Sequence, residues 1–118
     1  MITIGKTSEL ETRHYGDDET VRGVEKRVVI GPTIGATGFV MRHFQVAPGG
    51  HSPFHQHPWE HEVYVLAGQG TVRTATGDLS IEPGSYVFVP PMDEHQFANV
   101  GPEPLEFLCV VPPQGDDG

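Results

Sequence analysis

Apolar and polar residues alternate along this chain in short stretches with a period of two. The pattern predicts strands at residues 24–30, 39–46, 63–66, 71–74, 79–81, 86–89 and 105–111. Turn formers separate them: Gly31-Pro32, Pro48-Gly49-Gly50, Gly68 and Gly70, Pro83-Gly84, Pro90-Pro91 and Pro112-Pro113. Ala75-Thr76-Gly77-Asp78 reads as a hairpin loop. No long stretch has helical periodicity, and there is no internal repeat. Short strands with frequent turn signals predict an all-β sandwich or barrel. The first residues are polar and run into Asp17-Asp18-Glu19. Residues 1–20 are therefore expected to form a mobile arm or early loop, 21–113 the domain, and 114–118 a frayed tail.

Composition narrows the picture. The 118 residues suit one domain, and 15 Gly with 11 Pro exclude a helical bundle. A chain of this length buries roughly two-thirds of its unfolded surface, enough for a core without disulfide staples. Seven Lys and Arg against 16 Asp and Glu give a net charge of −9. That balance argues against nucleic acid and anionic membrane as partners. The longest apolar runs, 63–67 and 107–111, fall short of the ~7 residues of a signal-peptide core and the ~18 of a membrane helix, so a cytoplasmic protein is expected. The single Cys109 cannot form an intramolecular disulfide, in keeping with a reducing compartment.

Three of the seven histidines, His55, His57 and His61, fall within seven positions. An HxH pair on a strand puts both imidazoles on one face, at a separation that suits two ligands of one metal ion. Pro58-Trp59 breaks that strand, so His61 opens the next element and shares a face with Val63 and Val65, while Glu60, Glu62 and Tyr64 point away. Trp59 is placed to cap a barrel mouth or a subunit interface. His14, His43 and His51 read as ordinary polar positions.

At these residues the sequence resembles the cupin superfamily. Its first motif, G(X)5HXH(X)3,4E(X)6G, is matched by Gly49, five residues, His55-Gln56-His57, three residues, His61, six residues and Gly68. Its second, G(X)5PXG(X)2H(X)3N, is matched by Gly84, five residues, Pro90, Met92, His95, three residues and Asn99, with fifteen residues between the motifs. His61 stands where most members carry a glutamate ligand. Met92 replaces a turn glycine, so a differently shaped loop is expected there. The run HxHPWEHEVYVLAG also resembles small single-domain members with a four-histidine manganese site. The resemblance implies a double-stranded β-helix, a jelly-roll-like barrel, with one divalent metal held by His55, His57, His61 and His95. Manganese is the metal it implies; imidazole ligands alone also admit iron, nickel, copper or zinc. Burying four imidazoles at one end of a barrel would strand their ring nitrogens, and a cation satisfies them.

Strand alternation puts Phe107 and Cys109 on one face of 105–111, and Arg42 on a face with Val40 and Phe44. If those faces line the lumen, all three are pocket candidates beside the metal. Four neutral ligands leave the ion its full +2 charge, which draws anionic or enolate-like groups. The expected function is a metal-dependent oxidoreductase, dioxygenase-like or peroxide-using, acting on a small organic substrate. The alternatives are a non-redox isomerase or lyase of a sugar or keto acid, and a binding or sensor barrel without catalysis. A two-fold homodimer is expected, with residues 21–30 pairing against a neighbour's sheet edge.

Overall fold

A computed structural model describes residues 1–15 and 18–116. Nine strands run in chain order: β1 (Arg13–His14), β2 (Arg22–Ile30), β3 (Val40–His51), β4 (His61–Ala67), β5 (Gly70–Thr74), β6 (Gly77–Ile81), β7 (Tyr86–Val89), β8 (His95–Asn99) and β9 (Leu105–Val111). All their pairings are antiparallel, in the order β6-β5-β8-β3-β9-β4-β7, with β2 also against β3 and β1 against β2. The fold is all-β, a sheet curled into a jelly-roll barrel, as the strand pattern and the resemblance predict.

Strand β3 closes the barrel. Val40 to Val46 pairs with β9, whereas His51 pairs with Ala98 of β8. Between them the chain bends at Pro48-Gly49, where Gly49 has φ 80°. The expected strand end at residue 46 is thus a corner from which β3 passes into the second half of the barrel. Strict alternation fills the interior: His61, Val63 and Val65 of β4 are buried between exposed Glu62, Tyr64 and Leu66, and Leu105, Phe107, Cys109 and Val111 of β9 all face inward.

The pattern of apolar residues did not reveal β8, because its inward positions are His95, Phe97 and Asn99, two of them polar. Asn99 is buried as a structural pin. Its amide donates to the carbonyls of Val46 and Glu103, and its carbonyl accepts from Gly101 N–H. The β5–β6 hairpin is tighter than expected: Thr74 pairs with Gly77, leaving Ala75-Thr76 as the loop.

Both chain ends depart from expectation. Within 1–20, residues 7–9 form a 3-10 turn and β1 adds to β2, so Tyr15 is drawn against the core. Asp17 of the acidic stretch lies outside the described residues; the Asp18 carboxylate accepts from the Thr20 hydroxyl and from the Thr20 and Val21 N–H groups, which lowers its pKa. At the other end Pro113–Gly115 forms a 3-10 turn instead of fraying, and Gly115 is buried because Trp59 and Val111 pack against it. Asp117 and Gly118 lie outside the described residues. Strand β2 lies along β3 of its own chain, with β1 pairing to its other edge at Glu25 and Lys26 and Tyr15 N–H donating to the Val24 carbonyl beside them. Among the described residues no helix is long and apolar enough to cross a membrane.

Gly68 shows how tightly the corners are set. It has φ 87°, and a Cβ there would stand 2.7 Å from Leu105 Cα. Gly68→Ala is expected to cost about 2–4 kcal/mol, from left-handed strain plus a clash with unyielding backbone. Urea unfolding of the two proteins measures the difference.

Candidate metal centre

The histidines gather at one end of the barrel, but not from a regular strand. Pro53 and Pro58 bracket the HxH pair, and proline donates no ladder hydrogen bond. His55 makes an isolated bridge with His95, through His55 N–H to the His95 carbonyl (3.1 Å) and His95 N–H to the His55 carbonyl (2.9 Å). That correction to the expected strand has a consequence: one backbone bridge ties the first histidine segment directly to β8. Met92 then ties in the loop before β8, its N–H donating to the His57 carbonyl. Met92 takes φ 69°, the left-handed conformation, so the turn keeps the backbone that glycine favours instead of adopting another shape.

His55, His57 and His95 each bring a ring nitrogen within 4.8 Å of the others, so three imidazoles could hold a metal ion. The Nε2 atoms of His55 and His57 are 3.2 Å apart. His95 donates from Nδ1 to the Asp93 carbonyl at 2.9 Å, which leaves its Nε2 lone pair free to face the cluster. His61 stands outside that set of three, yet its ring lies 5.1 Å from that of His95 and 5.3 Å from that of His57. Its Nε2 is buried without a hydrogen-bond partner. Its Nδ1 is 3.2 Å from Cys109 Sγ, and Arg42 Nη2 donates to the same sulfur at 3.1 Å. Arg42 Nη2 also stands 3.4 Å from Nδ1, and the tautomer that carries its proton on Nδ1, facing the sulfur, is the one that leaves Nε2 a bare lone pair to offer a cation. Converging bare imidazole nitrogens fit a cation, and an orphaned buried one calls for it.

Burial keeps these rings neutral. It lowers His55 to about 4, helped by the charges of His57 and His95, and His61 to about 3, helped by His95 and Arg42. His57 and His95 are lowered too, chiefly by burial, with the Asp93 carbonyl pulling His95 partly back. Neutral imidazole is the metal-binding form. Burial also raises Cys109, against the pull of Arg42, so the sulfur is a thiol.

Arg42, Phe107 and Cys109 line a cavity of about 260 Å³ beside the four histidines, together with Phe44, Phe97 and Tyr15. Arg42 is almost fully buried. It donates to the Asp116 carbonyl, which also accepts from Lys26 Nζ, so the C-terminal turn is clasped to the pocket wall. Trp59 stacks on His57 (4.8 Å, 4°) and packs against Gly115, so it lies between a candidate ligand and that turn. Tyr15 was not foreseen; nothing local in a polar N-terminal stretch marks a residue that only strand pairing carries inward. Glu60 and Glu62 are exposed, as alternation predicts. His14 and His51 take no part in the cluster, and His43 pairs with Glu106 at 3.2 Å.

The small antiparallel barrel gathers imidazoles from the segment before β4, from β4 itself and from β8, and three of them could hold a metal ion. The chain belongs to the cupin superfamily: the Cupin domain family matches residues 42–111. It is 35% identical over 95 residues to the 1-methylthio-D-xylulose 5-phosphate methylsulfurylase of Rhodospirillum rubrum, covering 80% of this chain and 60% of that protein. It is 46% identical over 57 residues to a glucose-6-phosphate isomerase of Pyrococcus furiosus, covering 43% of this chain and 30% of that one. The chain thus spans less than two-thirds of the first relative and under a third of the second. The structure of the polyketide cyclase RemF from Streptomyces resistomycificus superposes with a TM-score of 0.86 at 28% identity, over 95% of this chain and 80% of that one.

The lowered imidazoles set the acid response of the metal-free protein. Unfolded histidines bind protons near 6.5, whereas folded His55 and His61 resist until about 4 and 3. Between roughly pH 6.5 and 4 the unfolded chain therefore holds more protons, and stability falls as the pH drops. Urea midpoints taken across that range should decline, and less steeply in His61→Gln.

Proposed function

We propose that the protein is a metal-dependent enzyme acting on a small, largely apolar organic molecule, with His55, His57, His61 and His95 as the ligands of one divalent ion. The observation that carries this reading is the meeting of four neutral imidazoles with an apolar cavity whose described lining residues include no carboxylate. Such an ion would supply Lewis acidity and, when redox-active, electron transfer; manganese is favoured by the resemblance of the motif. The chain's own residues do the rest. The aromatic and aliphatic wall excludes water, the His95–Asp93 contact fixes a ring orientation, and Arg42 with Cys109 orients His61.

Oxidation is the reaction type we favour, because isomerisation by proton transfer calls for a positioned base, and the cavity's described lining holds no carboxylate and no imidazole besides the candidate ligands. The likeness to isomerases and to a polyketide cyclase supports a second reading, Lewis-acid rearrangement without redox change. Metal analysis of the purified protein should find one ion per chain. His95→Ala and His61→Ala should each weaken its binding at least about 100-fold, beyond the range of outer-shell changes. Reloading with manganese or iron should restore oxygen-consuming turnover of oxygenated aromatic test substrates. Turnover with zinc and no oxygen uptake would establish the second reading, and a metal-free protein with unchanged activity would sink both.

The Trp59 stack gives a further expectation. Gly115→Val would push the indole off His57, so metal affinity should fall about 10-fold or more while the circular dichroism of the barrel is kept. Chelator competition reads that change directly.

A further inference from the structure

The aromatic residues of the cavity form a file. Tyr15 and Phe44 stack at 6.2 Å and 17°, Phe44 and Phe107 at 5.3 Å and 20°, and Phe107 and Phe97 at 4.8 Å and 28°. Phe97 then meets His95 edge-on at 6.2 Å. The file therefore runs from the N-terminal segment to an imidazole of the metal centre. Near-parallel rings of this kind offer a planar guest both stacking and edge contacts.

Polar atoms stand at both ends. One end holds the imidazole nitrogens. At the other, Tyr15 Oη is buried without a hydrogen-bond partner, on a residue that lines the cavity. A buried hydroxyl in that state has lost its water and gained nothing, unless a ligand supplies the missing partner.

Beyond the metal ion itself, the cavity wall offers a phosphorylated guest no cationic clamp. Among the described lining residues Arg42 is the one cation, and its guanidinium already donates to the Asp116 carbonyl and Cys109 Sγ. A phosphate dianion entering here would surrender its hydration without a bidentate clamp or a helix N-terminus to replace it. The cavity, about 260 Å³, lies just below the ~300 Å³ at which sites for drug-sized ligands begin, which sets the guest at one or two fused rings.

We propose that the cavity binds a planar hydroxyaromatic molecule of one or two fused rings, with adjacent oxygens toward the histidine end and a further oxygen hydrogen-bonded to Tyr15 Oη. Tyr15 is then a specificity-determining residue, and phosphorylated sugars are not ligands of this site. The inference rests on the metal-centre reading above and adds the ligand class to it.

The test uses metal-loaded protein and two probes of one size. In 6,7-dihydroxycoumarin, vicinal hydroxyls suit a metal and the lactone carbonyl can accept from Tyr15 Oη; naphthalene-2,3-diol has the hydroxyls but no distal acceptor. Calorimetric titration should show tighter binding of the coumarin. Tyr15→Phe, which keeps the ring stack, should weaken the coumarin about 3- to 10-fold and leave the naphthalenediol within 2-fold. Fructose 6-phosphate should displace neither. An unchanged coumarin affinity in Tyr15→Phe, or displacement of the diols by fructose 6-phosphate at lower concentration than their own, overturns the proposal. So does a metal-loaded protein that binds neither diol, and that result leaves the metal centre standing. Diol binding that keeps its Tyr15-dependent preference in wild-type protein that takes up no metal supports the ligand class while removing the metal-centre reading.

Discussion

The structure is organised around imidazole nitrogens that converge at one partly buried end of the barrel. Each ring could remain neutral alone, as the lowered values of His55 and His61 show. Neutrality does not satisfy them: the Nε2 atoms of His55 and His57 face each other, and that of His61 has no partner. A barrel that aims bare lone pairs at one point gives up solvation that only a shared proton or a cation restores. The surrounding contacts keep that aim fixed. The Asp93 carbonyl holds His95, the Cys109 sulfur with Arg42 holds His61, and the Trp59 indole holds His57.

Those supports come from opposite ends of the chain. The C-terminal turn takes Lys26 and Arg42 through the Asp116 carbonyl and meets Trp59 at Gly115, so the last described residues reach two candidate ligands by separate routes. The N-terminal segment reaches the cavity through Tyr15, brought in by the pairing of β1 with β2. In a barrel of this size both termini serve as walls. The pocket's shape therefore depends on segments that lie outside the two histidine motifs.

Membership of the cupin superfamily establishes the barrel and its histidine-bearing end, but the relatives carry different chemistries on that frame: a methylsulfurylase, sugar-phosphate isomerases and a polyketide cyclase. In this chain the pocket lining is four aromatic rings, aliphatic side chains and an arginine engaged by its neighbours. That wall is flat and largely apolar and offers an anion no clamp beyond the metal centre.

Much of this was legible in the residues. Period-two alternation located seven of the nine strands, because burial on one face leaves the same trace in any order of pairing. The spacing of His55, His57, His61 and His95 marked the cluster, and the alternation in β3 and β9 put Arg42, Phe107 and Cys109 on inward faces. Strand β8 escaped because its inward residues are mostly polar, and β1 because two residues carry no period. Only the tertiary structure could decide that Pro-bracketed His55 bridges His95, that Met92 accepts a left-handed backbone, that Tyr15 lines the pocket, and that the Asp116 carbonyl accepts from Arg42. The reason is range. A side chain's face is set by its neighbours along the strand, whereas the partner it meets there comes from residues up to ninety positions away, as Lys26 and Asp116 show.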